Sequence, residues 1–285
     1  MKKLISVMLT VLMIVSLFAG CGAKTDDGVI NIAIIQQLDH SSLDEIRLAA
    51  QAEIDRIAAE KGVKVEYKHF NGQNDTSVLA QIGTQVVSDG YDLILPIATL
   101  AAQYAVTAAE GKNIPIVYAA VSDPETAGLT GMSTVTGVSD ALNTPFIMDM
   151  MFAADPSIQT VGLLYSLSEP NSEKPIKEAK AYLDAKGISY IEKTGNTADE
   201  VITAATALVG RCEAVFTPTD NAIMNVAPAV AEILANAGIA TTPVQTPSCR
   251  QAPSPPAVST TPSWAPMQPS WPWILLWAVL CPTSM

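Results

Sequence analysis

Ten side chains that can carry charge, donate or accept hydrogen bonds, or wall an aromatic group stand at or just beyond the ends of short apolar runs. They are His40, Thr99, Ser122, Asp123, Ser139, Tyr165, Glu169, Asn171, Asp220 and Asn221. Carboxylates hold cations, hydroxyls and amides offer donors and acceptors, and tyrosine and histidine present a ring with a polar tip. None of them sits in a glycine-rich phosphate loop or a Gly-x-Ser-x-Gly elbow, and His40 and His69 have no cysteine or carboxylate at metal-ligand spacing. That inventory suits holding a small polar molecule, with no cofactor and no catalytic step. The same residue types also cap helices and close turns. Thr99 and Asp220 each precede an apolar helical run, Asp123-Pro124 reads as a turn, and Glu169-Pro170-Asn171 reads as a solvated loop.

The elements that must position these residues alternate in period. Val29 to Ile35 is rich in β-branched residues and predicts a strand. Leu43 to Glu60 repeats apolar residues at helical spacing and stops at Lys61-Gly62. Val63 to His69 is a strand, Asp75 to Ser88 a helix capped by Asp75, Leu93 to Ile97 a buried strand, Ala101 to Ala109 a helix and Ile114 to Ala119 a strand. An interrupting segment, 123–139, follows. A second series then runs as helix Thr144 to Ala154, strand Thr160 to Tyr165, helix Lys174 to Lys186 and strand Ser189 to Lys193. It continues as helix Glu200 to Val209, strand Ala214 to Thr217 and helix Ala222 to Ala237, with Met148, Met150 and Met151 expected as helix core. The fold class is therefore α/β, with two doubly wound parallel-sheet lobes and a ligand cleft between them. In such sheets ligands bind beyond the carboxyl ends of the strands, where eight of the ten residues stand; Tyr165 closes a strand and Ser139 ends the interrupting segment.

With 285 residues, 49% hydrophobic and 15% charged, the chain can bury a large core, and its net charge of −12 argues against nucleic acid and for a soluble monomer. Lys2 and Lys3, the apolar run Leu4 to Phe18 and then Ala19-Gly20-Cys21 form a signal peptide, 1–20. A cysteine after small residues at the end of such a run resembles the bacterial lipobox. The resemblance implies that Cys21 is acylated, palmitate being a suitable chain, and that 21–28 is a tether to the outer face of the cell membrane. Cys212, left alone, reads as a buried hydrophobe.

Beyond about Ala240 the composition changes. From Gln251 onward there is no Asp, Glu, Lys or Arg, all four tryptophans lie there, and ten of the nineteen prolines lie from Pro243 on. Trp273 to Cys281 is apolar but well short of the roughly 20 residues needed to span a bilayer. Reading the last base of each codon with the first two of the next turns Trp264-Ala265 into Gly, Met267-Gln268 into Ala, Trp271-Pro272 into Ala, Trp273-Ile274 into Asp and Trp277-Ala278 into Gly. The expectation is that 241–285 is an out-of-frame tail. The lobes would then run 29–139 and 140–240, with the second incomplete.

Seven segments, in order and evenly spaced behind the lipobox, carry a resemblance across residues 29–239. They are Gln36 to Asp44, Ile97-Ala98-Thr99, Ile114 to Val117, Val121 to Pro124, Thr136 to Asp140, Leu164 to Ser172 and Thr217 to Asn221. Together they resemble the tryptophan/phenylalanine-type substrate-binding lipoproteins of ABC importers, which have the type I periplasmic-binding-protein fold. The resemblance implies a receptor that closes by a hinge around an amino acid and docks on a permease served by a separate ATPase subunit. A zwitterion needs an anion for its ammonium and donors for its carboxylate. Asp220 is the first choice for the ammonium, then Asp123 and Glu169. Thr99, Ser122 and Ser139 are the carboxylate donors, Tyr165 and His40 the aromatic wall, and Asn171 and Asn221 bridges to either group. A ligand-presenting sensor lipoprotein and an exported α/β enzyme stand as the alternatives.

Overall fold

A computed structural model describes residues 28–241. The expected signal peptide, the expected lipid-bearing Cys21 with its tether up to Asp27, and the expected out-of-frame tail beyond Thr241 lie outside them.

Val29–Gln36 forms β1, Ser41–Lys61 α1, Lys64–Asn71 β2, Thr76–Asp89 α2, Leu93–Ile97 β3, Thr99–Ala108 α3, Ile116–Tyr118 β4 and Val135–Gly137 β5. All five strands pair in parallel in the order β2-β1-β3-β4-β5. Alternation along β1 sends Ala33 and Ile35 to one face, where Leu79, Ile82 and Val86 of α2 and Ala101 and Ala105 of α3 cover them. Ile32 and Ile34 go to the other face, against Leu43 and Ile54 of α1. Both faces are sealed by helices, which is why β1 and β3 read as nearly unbroken apolar runs.

The second series is α4 at Thr144–Ala154, β6 at Thr160–Tyr165, α5 at Pro170–Lys186, β7 at Ser189–Thr194 and α6 at Ala198–Thr206. It ends with β8 at Ala214–Phe216, α7 at Asn221–Met224, α8 at Ala227–Asn236 and β9 at Ala240–Thr241. These strands are again parallel, ordered β7-β6-β8-β9. Leu163, Ala214 and Phe216 pack on Met148 of α4 and Ile176, Ala179 and Leu183 of α5, while Leu164 and Val215 face α6 and α8 on the opposite side. The architecture is the expected α/β pair of doubly wound lobes.

Three differences from the sequence reading have physical causes. The expected helix Ala222 to Ala237 is two helices, because Pro228 cannot donate a helical hydrogen bond and instead opens α8 near its first position. Likewise α5 starts at Pro170 rather than Lys174, with proline in its first turn. Inside the interrupting segment, the short strand β5 pairs with β4. Its Gly137 lets the backbones close up, since an added Cβ would lie 2.2 Å from the Tyr118 carbonyl oxygen. Of the three methionines expected in the core of α4, Met148 and Met151 are buried, whereas Met150 is exposed.

Candidate functional site

In each sheet the second strand along the chain lies on one side of the first and the third strand on the other, so strand order reverses between β1 and β3 and again between β6 and β8. At such a switch point the connections leave in opposite directions and a crevice opens beyond the strand ends. The two crevices face each other. The cleft is lined by His40, Ser42 and Leu43 after β1, Ala98 and Thr99 after β3, Ala120 and Ser122 after β4, Asp140 after β5, Asn171 after β6, and Thr219, Asn221 and Met224 after β8. Its free volume, about 30 Å³, has room for a water or two.

Four buried side-chain atoms lining this cleft find no hydrogen-bond partner in the protein: His40 Nδ1, Ser42 Oγ, Thr99 Oγ1 and Asn171 Oδ1. An unpaired buried polar atom costs about 1–3 kcal/mol, so native chains keep few of them, and four at one place mark a site completed from outside. Ser42 and Thr99 stand in the first turns of α1 and α3, helices of 21 and 10 residues, whose N-termini favour anionic groups.

The backbone is strained at the same place. Ala98 has φ 77° and ψ 164°, a region populated almost only by glycine, and Ala120 has φ 55°. Ala98 still donates its N–H to Ala119 O at 3.0 Å, so strand pairing holds it there while the chain turns sharply into α3. Ala98→Gly relieves this strain, and the net gain after glycine's extra chain entropy is about 1 kcal/mol, a rise of roughly 2–4 °C in melting temperature. Thermal denaturation checks it, and an unchanged or lower melting temperature counts against the strain.

Hydrogen bonds tie the lobes together around the cleft. Gln37 Nε2 donates to Glu169 Oε1 at 2.8 Å, His40 Nε2 and Asn221 Oδ1 lie 3.3 Å apart, the Ser122 and Thr219 hydroxyls meet at 3.2 Å, and Lys174 pairs with Asp123 at 3.1 Å. Gln37 is held for this role by Leu100 N–H, which donates to its Oε1, and by Asn74 Oδ1, which accepts from its Nε2. Burial lowers the His40 pKa, against the opposing pull of Asn221, Asp44 and Asp39. Glu169 is 2% exposed. Burial first, and the nearby charge of Asp220 second, push its pKa up to about 7.

Five of the ten expected site residues line the cleft: His40, Thr99, Ser122, Asn171 and Asn221. The other five do different work. Asp220, the first choice for the ammonium, is fully buried behind the cleft wall, where its carboxylate accepts from Ser166 N–H, Ser172 Oγ and the Ile223 N–H that it caps. Glu169 bridges Gln37 and Asn221. Asp123 closes a turn onto Thr126 and pairs with Lys174 across the lobes. Ser139 ties Ala141 N–H to the Ser122 carbonyl. Tyr165 donates its hydroxyl to Glu192, away from the cleft. Asp220, Glu169 and Asp123 follow strands, but a polar residue there goes first to protein partners within reach, in its own lobe for Asp220 and across the cleft for Glu169 and Asp123.

Sequence reasoning missed Ser42, Asp140 and Thr219 as lining residues. Asp140 was hidden because β5, the strand it follows, is three residues long and carries no legible period. Recognising that strand would have marked Asp140 by the same rule that marked the others.

Comparison with known proteins agrees with this fold. The family model for ABC transporter substrate binding proteins matches residues 31–253. A curated relative, the tyrosine-binding protein of Clostridioides difficile, is 30% identical over 249 residues, covering 81% of this chain and 72% of that protein. The crystal structure of an ABC domain in complex with L-Trp from Streptococcus pneumonia superposes with a TM-score of 0.67 at 31% identity, over 74% of this chain and 72% of that one. A substrate-binding protein with adhesive properties from Clostridium difficile, in its ligand-free, open form, gives 0.50 at the same 31% identity, over 74% and 73% of the two chains. At equal identity the fit is closer to the ligand-bound relative, in keeping with the bonded lobes seen here. By fold, by the cleft at its switch points and by this match, the chain belongs to the family of ABC transporter substrate-binding proteins.

Proposed function

We propose that this chain captures an amino acid, an aromatic one, on the outer face of the cell membrane and hands it unchanged to an ABC permease. The observation that carries the reading is the set of four unpaired polar atoms in one interlobe cleft. Ser42 and Thr99 offer hydroxyls beside two helix N-termini, the arrangement that receives a carboxylate. Two relatives near 30% identity, one named for tyrosine and one in complex with L-Trp, support an aromatic amino acid. A ligand of that size needs far more room than the cleft now encloses, because pockets for such molecules run to about 300 Å³ and more. Capture therefore runs through parted lobes that close on the ligand by a hinge, and the closed shape is what the permease and its ATPase partner read.

Isothermal titration of the purified protein with all twenty amino acids tests the reading. Tyrosine, tryptophan or phenylalanine is expected to bind, to raise the melting temperature and to be recovered intact. Thr99→Val removes a hydroxyl that has no partner inside the protein, so stability stays near wild type while affinity falls about 10-fold or more, as for hydrogen bonds to charged groups. Silence from every amino acid, or a Thr99→Val protein with undiminished affinity, counts against it. Membrane attachment through Cys21 is part of the same proposal, and Cys21→Ser is expected to release the protein from the membrane fraction. Sequencing the gene across codons 238–245 tests the out-of-frame tail.

A further inference from the structure

We infer that Asp140 is the residue that binds the ammonium group of the ligand and so makes the cleft selective for amino acids over other carboxylates. The inference rests on the reading that the cleft takes an amino acid, and it replaces the three acidic residues that the sequence put forward.

Among the described residues Asp140 is the only acidic side chain lining the cleft, and no lysine or arginine among them lines it to neutralise that charge. Its protein partners are few. The Ser122 hydroxyl donates to Oδ1 at 2.9 Å, and its own backbone N–H adds a local contact. A carboxylate can accept about four hydrogen bonds, so it keeps capacity for a charged donor arriving in the cleft. Enclosure works against the charge, and burial pushes the Asp140 pKa above the usual aspartate value. A half-buried carboxylate with one hydroxyl and no cation beside it is costly, and an ammonium placed against it removes that cost.

The other acidic groups are committed elsewhere. Both oxygens of Asp220 hold the backbone and Ser172, Glu169 receives two amides, and Asp123 faces Lys174 and Thr126.

Position along the sheet edge fits a zwitterion. Thr99 follows β3 and Asp140 follows β5, two strands away in the order β3-β4-β5, with Ser122 after β4 between them. Two strand spacings are about 10 Å, roughly the span of an α-amino acid head with one hydrogen bond at each end. The carboxylate then lies at Thr99 and the start of α3, the ammonium at Asp140, and Leu43 and Met224 supply apolar lining for the side chain.

The test compares L-tryptophan and L-tyrosine with their des-amino analogues, indole-3-propionate and 3-(4-hydroxyphenyl)propionate, on wild type and on Asp140→Asn, by isothermal titration. Wild type is expected to prefer each amino acid over its analogue by about 100-fold, the effect of one charge-assisted contact in an enclosed site. Asp140→Asn is expected to bind both members of each pair alike, near the wild-type affinity for the analogue. Melting temperatures report folding, and Asp140→Ser serves as the second variant should the amide disturb the loop. An Asp140 variant that is folded and keeps the preference for the amino acid overturns the assignment alone. Wild type that binds no amino acid overturns the amino-acid reading, and this inference with it.

Discussion

Asp220→Ala lowers the stability of the protein by about 3–5 kcal/mol, a loss measurable as a reduced denaturation midpoint. The expectation follows from the position of the carboxylate, which is 0% exposed and accepts from Ser166 N–H at 2.7 Å, Ser172 Oγ at 2.7 Å and Ile223 N–H at 3.2 Å. Those bonds join the end of β6 and the first turn of α5 to the start of α7, and so tie together the two connections, β6–α5 and β8–α7, that form the second lobe's half of the cleft. Removing the acceptor leaves these buried donors unpaired, each a cost of about 1–3 kcal/mol. Asp220→Asn retains the shape but turns one oxygen into a donor facing donors, so it is also destabilising, by less. Ligand affinity of the folded fraction changes little in either variant. An Asp220→Asn protein with wild-type stability and abolished binding would restore Asp220 as a ligand contact.

Capture is expected to be proton-linked through Glu169. Burial, and then the charge of Asp220, raise its pKa from an ordinary glutamate value to about 7 in the closed form. Opening the lobes admits water and removes the burial that is the largest cause, which returns the pKa toward 4.5 against the smaller opposite effect of losing the hydrogen bond from Gln37. A group with a raised pKa in the closed form takes up a proton on closing. The stabilisation it gives closure is therefore fully present below the open-form pKa and is lost as pH rises through about 7.

His40 acts in the opposite sense, since burial lowers its pKa and closing expels its proton. Asp140 titrates in the same cleft. Both are common to wild type and Glu169→Gln, so the ratio of their ligand association constants reports Glu169 together with the neighbouring Asp220, whose own pKa burial raises. That ratio is expected to rise by up to tenfold per pH unit between pH 7 and pH 5, and to level off above pH 8. A ratio independent of pH across that range would show that Glu169 keeps one protonation state throughout. Because Asp220 contributes to the raised pKa, Asp220→Asn is expected to move the onset of the effect to lower pH.

Much of the fold was legible in the sequence. Val29 to Ile35, Leu93 to Ile97 and Thr160 to Tyr165 announce themselves as strands because a sheet covered on both faces demands long apolar, β-branched runs. Asp75 was legible as the cap of α2 because its carboxylate, next to Ser77 and Val78 N–H, does the local job that aspartate does in any sequence. Elements of three residues, such as β5, the helix start at Pro170 and the helix break before Pro228 were not, since they depend on what lies alongside rather than on period.

Residue chemistry, lobe count and the strand ends at which function must lie were determined by the sequence itself, because periodicity and capping are local properties of a chain. Which of the polar strand-end residues face a ligand was decided only by the tertiary structure. Asp220 and Asp140 both follow a strand, and the difference between them is the number of donors that other segments bring within reach. Asp220 meets backbone and hydroxyl groups of β6 and α5 and is saturated, whereas Asp140 meets one hydroxyl and a cleft. Hydrogen-bond saturation depends on contacts between residues some 50 positions apart, and no local pattern in the chain encodes it.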